Sequence, residues 1–337
     1  MREALFYEKK EQNLTACRLC PKLCTIREDK AGFCRVRENR KGKLYAANYG
    51  KVTSYGLDPI EKKPLYHFYP GSLIMSFGTV GCNLRCGFCQ NWSIAHGDPD
   101  TAELTPEQAV EMARRQKEKG YPNAGIAYTY SEPFMWYEFV LDTARLAGEA
   151  GLKNVLVTNG YINETPLREI LPYIDAMNID IKGFTGDYYR NYCVGRLEPV
   201  LRTVEIACAQ KCHVELTNLL VTGLNDSSEE IERLVDWIAA LDREIPLHFS
   251  RYFPNFEMDL PATPLKTLKR AGDIARKKLS YVYIGNAREL DEQDTCCPEC
   301  GNKLISRTGY TVGATGLDNK RCRYCGRRIN IVGDIIV

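Results

Sequence analysis

Apolar residues run along the middle of the chain in two alternating patterns. Short runs rich in β-branched and aromatic residues stand at 73–79, 125–130, 155–158, 177–181, 213–221, 247–252 and 281–284, and each reads as a strand. Between most of them, apolar positions take helical spacing, as with Ile231, Leu234, Val235 and Ile238 on one face. Start signals support these helices. Thr105-Pro106-Glu107 offers an N-cap followed by proline at the first helical position, and Gly120 stops that helix. Thr263-Pro264 repeats the device, and residues 225–230 supply capping groups before Ile231. Strands alternating with helices predict βαβ units and a mainly parallel α/β sheet. The pattern suits an open sheet and a closed or partial barrel equally.

On either side the alternation stops. Residues 1–70 contain turn signals, basic loops and cysteines but no long amphipathic helix, and read as a metal-binding appendage. Residues 71–288 form the expected core. Residues 289–337 are short, glycine-punctuated and Cys-rich, which predicts a zinc-ribbon-like module.

Composition narrows the class only a little. A net charge of +2 over 337 residues makes no global electrostatic case for nucleic acid or a membrane surface. No apolar run approaches the roughly 20 residues of a membrane-spanning helix. The first residues do not resemble a signal peptide, so a cytoplasmic location without membrane contact is expected.

Fifteen cysteines change the picture. A large chain without an export signal uses such residues for metal or catalytic thiolates rather than disulfides. Their clustering agrees, since only Cys193, Cys208 and Cys212 fall outside three short groups.

The central group, Cys82-Asn-Leu-Arg-Cys86-Gly-Phe-Cys89, follows the run at 73–80, so three thiolates share one loop after a strand. A cuboidal iron–sulfur cluster normally takes four cysteines, and three leave one iron with an open position. A structural zinc site or buried thiols are the plainer alternatives. Later strand ends, where parallel sheets collect ligands, carry further polar groups. They are Ser131-Glu132-Pro133, Asn159-Gly160, Asp180 with Lys182, a Gly223 turn, and His248 with Arg251. Asp180 and Lys182 share a face by alternation and suit an ion pair or a polar wall.

The motif, with aromatic Phe88 before its last cysteine, resembles the radical S-adenosylmethionine (SAM) superfamily. With Cys17-Arg-Leu-Cys20-Pro-Lys-Leu-Cys24, residues 61–71, Gln90-Asn91-Trp92 and the C-terminal knuckles, the chain resembles AmmeMemoRadiSam-type enzymes, relatives of pyruvate formate-lyase activases. The resemblance implies a partial (β/α)6 barrel and a [4Fe–4S] cluster on Cys82, Cys86 and Cys89 that cleaves SAM and abstracts hydrogen from a substrate. It implies cofactor contacts at Phe88, Ser131, Glu132, Asn159 and Asp180. Lys182, His248, Arg251 and Cys193 are then candidates on the substrate side. Tyr130 and Ser131 stand where the family carries two glycines.

An electron donor such as flavodoxin or ferredoxin is implied as partner. The substrate could be a protein glycyl residue, an RNA or a small molecule. An electron carrier or zinc-ribbon interaction module is the non-catalytic alternative. Activases carry their additional cysteines after the first motif, whereas here they lie before it and at the far end.

Those flanking groups are separate sites. Cys297, Cys300, Cys322 and Cys325 form two Cys-x2-Cys knuckles suited to structural zinc or rubredoxin-like iron. Cys17, Cys20, Cys24 and Cys34 are expected to share either a zinc ion or a second iron–sulfur cluster.

Overall fold

A computed structural model describes residues 1–337. The seven expected runs become strands of one sheet, with an unexpected first strand at its edge: β1 (Ser54–Pro59), β2 (Leu73–Gly78), β3 (Asn123–Tyr128), β4 (Lys153–Thr158), β5 (Ala176–Asp180), β6 (His213–Leu220), β7 (Leu247–Arg251) and β8 (Val282–Gly285). They lie side by side in chain order. From β2 onward neighbours are parallel, and only β1 runs antiparallel, against β2. The first and last strands do not pair, so the sheet is open at the level of hydrogen bonding.

Six helices make the crossovers: α1 (Pro106–Glu118), α2 (Tyr137–Glu149), α3 (Glu164–Ile170), α4 (Glu198–Ala209), α5 (Ser228–Leu241) and α6 (Leu265–Arg276). Helix α1 opens with the expected N-cap, extended to a full capping box between Thr105 and Gln108. Ser227 caps α5. Thr263 does not cap α6. Its hydroxyl instead donates to Leu220 O and accepts from Tyr252 N, satisfying backbone buried at two strand ends.

Alternation divides the sheet into two faces. Met75, Phe77, Ile126, Tyr128, Leu156, Met177, Ile179, Leu216 and Phe249 join the large core shared with the helices. On the other face, Ile74, Ala127, Val155 and Ala176 are covered by Ile60, Leu65 and Phe68. The boundary expected at residue 70 therefore shifts. Residues 54–71 belong to the core, as its edge strand and as the plug over its second face.

The C-terminal module holds that plug from beneath. Val332 N donates to His67 O, Tyr69 N to Val332 O and Ile336 N to Pro70 O, each at 2.8 Å. Gly71, at φ +79°, leaves no room for a side chain, because a Cβ would stand 1.8 Å from Ile336 O. Arg307 is fully buried beside it and donates to Thr295 Oγ1, Gln293 O and Tyr66 O. No helix is long and apolar enough to cross a membrane.

Candidate active site

Strand β2 ends at Gly78, and the chain turns through Gly81 into the loop bearing the three central cysteines. Gly81 has φ +97° because Cys34 O and Val36 crowd it, at 2.9 Å and 2.7 Å from where a Cβ would lie. Backbone bonds pin the loop from a distant segment. Arg85 N donates to Cys193 O at 2.9 Å and Gly87 N to Tyr192 O at 3.1 Å. Cys86 is buried, whereas Cys82 and Cys89 are half-buried.

Burial and a neighbouring thiol weigh against free thiolates here. A hydrogen bond with Cys193, then burial, pushes the Cys86 thiol well above its usual range. Burial does the same for Cys82 and lifts Cys89 to about 11. Ligation by a metal centre deprotonates thiols outright and offsets this penalty. Leu84 N and Asn159 Nδ2 approach Cys82 Sγ at 3.4 Å and 3.6 Å, as donors to the sulfur.

The ends of β3, β4 and β5 stand over this loop. Tyr130 adopts φ +69°, so the left-handed turn persists although a glycine is replaced. It is held there by Asp58, which accepts from its hydroxyl, and by Lys63, 4.6 Å from its ring centre. Beyond it, the Ser131 hydroxyl is buried without a partner.

Glu132 is turned inward. Its Oε1 accepts from Thr158 Oγ1 at 2.7 Å and Phe134 N at 3.0 Å, and its Oε2 from Asn159 N at 2.9 Å. Burial raises its carboxyl to about 7 against the pull of these bonds. Asn159 in turn donates to Asn83 Oδ1 at 3.0 Å, inside the cysteine loop.

Asp180 and Lys182 pair through Oδ2, while Asp180 Oδ1 stays buried and unpartnered. Burial alone would lower the Lys182 ammonium, but Asp180 and Cys86 outweigh it and hold it above its usual range. Ser131 Oγ, just beyond β3, and Asp180 Oδ1, at the end of β5, are thus two buried polar atoms without partners. Buried polar atoms are normally paired, so this set fits a cluster with a polar ligand upon it.

Cys193 comes to the site, fully buried against Cys86. Arg251 ends β7 and is already engaged, donating to Thr263 O and pairing with Glu289. Phe88 is buried in the core, its ring centre 6.0 Å from that of Tyr188.

His248 lies elsewhere. It is the second residue of β7, toward the N-terminal end of the sheet, and its Nε2 meets Glu215 Oε2 at 2.7 Å. Glu215 also bonds His213 and accepts from Tyr66 N and His67 N. Burial opposes ionisation there, but His213 and His248 outweigh it and hold the Glu215 carboxyl well below its usual range. This network fastens the plug and leaves His248 no path to the cysteine loop.

Sequence reasoning missed Asn83, Thr158 and Tyr189, whose hydroxyl accepts from Lys182 N at 3.0 Å. The only signals were an asparagine inside the cysteine motif and a threonine before Asn159-Gly160.

The four C-terminal sulfurs all lie within 4.8 Å of one another, with Cys297–Cys325 at 3.5 Å and Cys300–Cys322 at 3.6 Å. Thiolates about 2.3 Å from one ion stand about 3.8 Å apart at tetrahedral corners, so this group can hold a single metal. Cys17, Cys20, Cys24 and Cys34 line a common hollow under Asn83.

Comparison with known proteins agrees with this architecture. A family profile described as Radical SAM superfamily matches residues 77–238. MJ0808 of Methanocaldococcus jannaschii, itself uncharacterized, is 47% identical over 98% of this chain and all of its own length. The pyruvate formate-lyase-activating enzyme of Clostridium pasteurianum is 30% identical over 47% of this chain and 66% of that enzyme, so the match spans under two thirds of it. Among solved structures, Streptococcus suis SuiB bound to S-adenosylmethionine shares the fold, with a TM-score of 0.52 at 15% identity over 67% of this chain and 53% of SuiB. Residues 77–238, which carry the three-cysteine loop and much of the parallel sheet, are thus a radical SAM superfamily domain.

Proposed function

We propose that this chain is an enzyme that cleaves SAM reductively and removes a hydrogen atom from its substrate. The observation that supports this reading is three thiols on one loop after β2, contacted by Asn159 at Cys82 and by Cys193 at Cys86, with buried unpartnered polar atoms on Ser131 and Asp180 at the ends of the nearby strands β3 and β5. A [4Fe–4S] cluster with bound SAM supplies one-electron cleavage of the S–C5′ bond, and with it a 5′-deoxyadenosyl radical. Cys82, Cys86 and Cys89 would hold the cluster. Ser131 and Asp180 would bind the polar end of SAM. Asn159 would orient Cys82, and Glu132 would fix the turn that presents Asn159. Lys182 would balance the thiolate charge, with Cys193 packed behind Cys86.

The sheet would then act as a partial (β/α)6 barrel with its mouth at the C-terminal strand ends. The C-terminal knuckles would be a zinc ribbon. As an oxidoreductase of the AmmeMemoRadiSam type, the protein would draw its electron from a flavodoxin- or ferredoxin-like donor in the cytoplasm. For the substrate class we favour a protein glycyl residue, because the characterised relatives include activating enzymes. An RNA substrate has less support. The basic residues Arg321, Arg323, Arg327 and Arg328 sit in the module under the opposite strand ends, and Arg327 is already paired with Glu244 and Glu299.

The test is anaerobic reconstitution with iron and sulfide, reduction, addition of SAM and quantification of 5′-deoxyadenosine. Formation by the wild type and its loss in Cys86→Ala are expected. An intact reduced cluster that yields no nucleoside with or without candidate substrates would overturn the proposal.

A further inference from the structure

The two flanking cysteine groups have the same four ligands but different shapes. The C-terminal sulfurs crowd together at the spacing of a single tetrahedral ion. No three of the N-terminal sulfurs approach one another that closely. Cys17, Cys20, Cys24 and Cys34 instead stand around one hollow, which Leu19 and Met135 also line. The central triad, which suits a cubane, is likewise too spread for one ion. A cubane carries its four thiolates on four separate irons and so needs the wider arrangement.

Charge and hydrogen bonding point the same way. Lys22 and Arg37 line the hollow and offset the negative charge of a thiolate-ligated cluster. Arg37 is 1% exposed, and although Nη1 bonds Glu138 Oε1 at 2.6 Å, its Nε and Nη2 have no partner. Two buried guanidinium donors without acceptors are costly. Bridging sulfides would supply acceptors that a bare zinc ion lacks. Phe33 N already points to Cys24 Sγ at 3.5 Å.

We infer that Cys17, Cys20, Cys24 and Cys34 bind a second [4Fe–4S] cluster, fully ligated by cysteine and set against the loop of the first. The two cysteine segments touch through intervening residues. Asn83 lines the hollow and bonds Asn159, whose amide reaches Cys82 Sγ. Cys34 O presses on Gly81, immediately before Cys82.

Metal content and electron paramagnetic resonance of the full chain test this separately from SAM cleavage. Wild type reconstituted anaerobically should hold about eight irons and eight sulfides, as two cubanes require, with zinc confined to one equivalent. The Cys82→Ala/Cys86→Ala/Cys89→Ala variant should keep about four irons and a reduced cubane signal that SAM does not alter. Cys17→Ser/Cys20→Ser should lose that signal and keep the SAM-responsive one. Wild type with two zinc equivalents and only about four irons, all SAM-responsive, would sink the second cluster and leave the proposed activity standing. About eight irons with no response to SAM would do the reverse. Should either variant fail to fold, the wild-type count decides alone.

Discussion

Asn159 donates its backbone N–H to Glu132 Oε2 at 2.9 Å, so one buried carboxylate joins the ends of two neighbouring strands. Glu132→Ala would strand that N–H, the Phe134 N–H and the Thr158 hydroxyl, at about 1–3 kcal/mol for each unpaired group. We expect a stability loss of at least about 3 kcal/mol, with Glu132→Gln milder because one oxygen remains. Denaturant midpoints check this. An unchanged midpoint with lost SAM affinity would mean that the carboxylate touches SAM itself.

Cys193 lies against Cys86 with no exposed surface, as a positioning residue would. Cys193→Ala should leave the iron content of the triad unchanged and cost about 1–2 kcal/mol through the small void. Deoxyadenosine yield should fall less than about tenfold, a barrier change under about 1.4 kcal/mol. Loss of four irons would show that its thiol ligates the cluster.

Arg307 ties the C-terminal module to the plug, reaching Tyr66 O at 2.9 Å and standing 4.1 Å from the Tyr66 ring. Arg307→Met should cost about 3–5 kcal/mol, since Glu61 is left buried and without its cation. Limited proteolysis should then release residues 289–337 first. Iron bound at the triad should be preserved, because the module meets the opposite end of the sheet.

His67 gives a pH dependence with a definite sign. Neutral, it donates from Nδ1 to Asn330 O at 2.8 Å and accepts at Nε2 from the Tyr283 hydroxyl at 2.7 Å. Burial lowers its pKa from 6.5 to about 4. Across that window the unfolded chain takes up a proton that the folded chain refuses. Stability therefore falls as pH drops from 6.5 toward 4, by about 3 kcal/mol in full, and is flat above. Depression of the Glu215 carboxyl acts in the same direction at lower pH. Unfolding midpoints between pH 7.5 and 5 should show a shallower slope in His67→Gln than in wild type. Equal slopes would remove His67 as the cause.

Several features were legible in the residues because they are local. All seven expected strands formed within about two residues of their limits, since each is a short run rich in apolar or aromatic residues. The cysteine loop follows β2 as its spacing implied, and Thr105 and Ser227 cap their helices from a few positions away. Asn159, Asp180 and Lys182 stand near the cysteine loop because they lie at the ends of parallel strands.

Other features were decided by contacts across long stretches of chain, which no window of sequence displays. Residues 54–59 look like a loop beside the apolar runs, yet edge pairing with β2 makes them a strand. His248 reads as a strand-end residue, but its place within β7 and the carboxylate of Glu215, 33 positions away, bind it at the other end of the sheet. Cys193 meets Cys86 only because the segment after β5 folds back over the cysteine loop. Cysteine spacing in sequence determined which thiols would be neighbours. How far apart their sulfurs stand, and hence whether one ion or a cubane fits, depends on the backbone and the buried Arg37 packed around them.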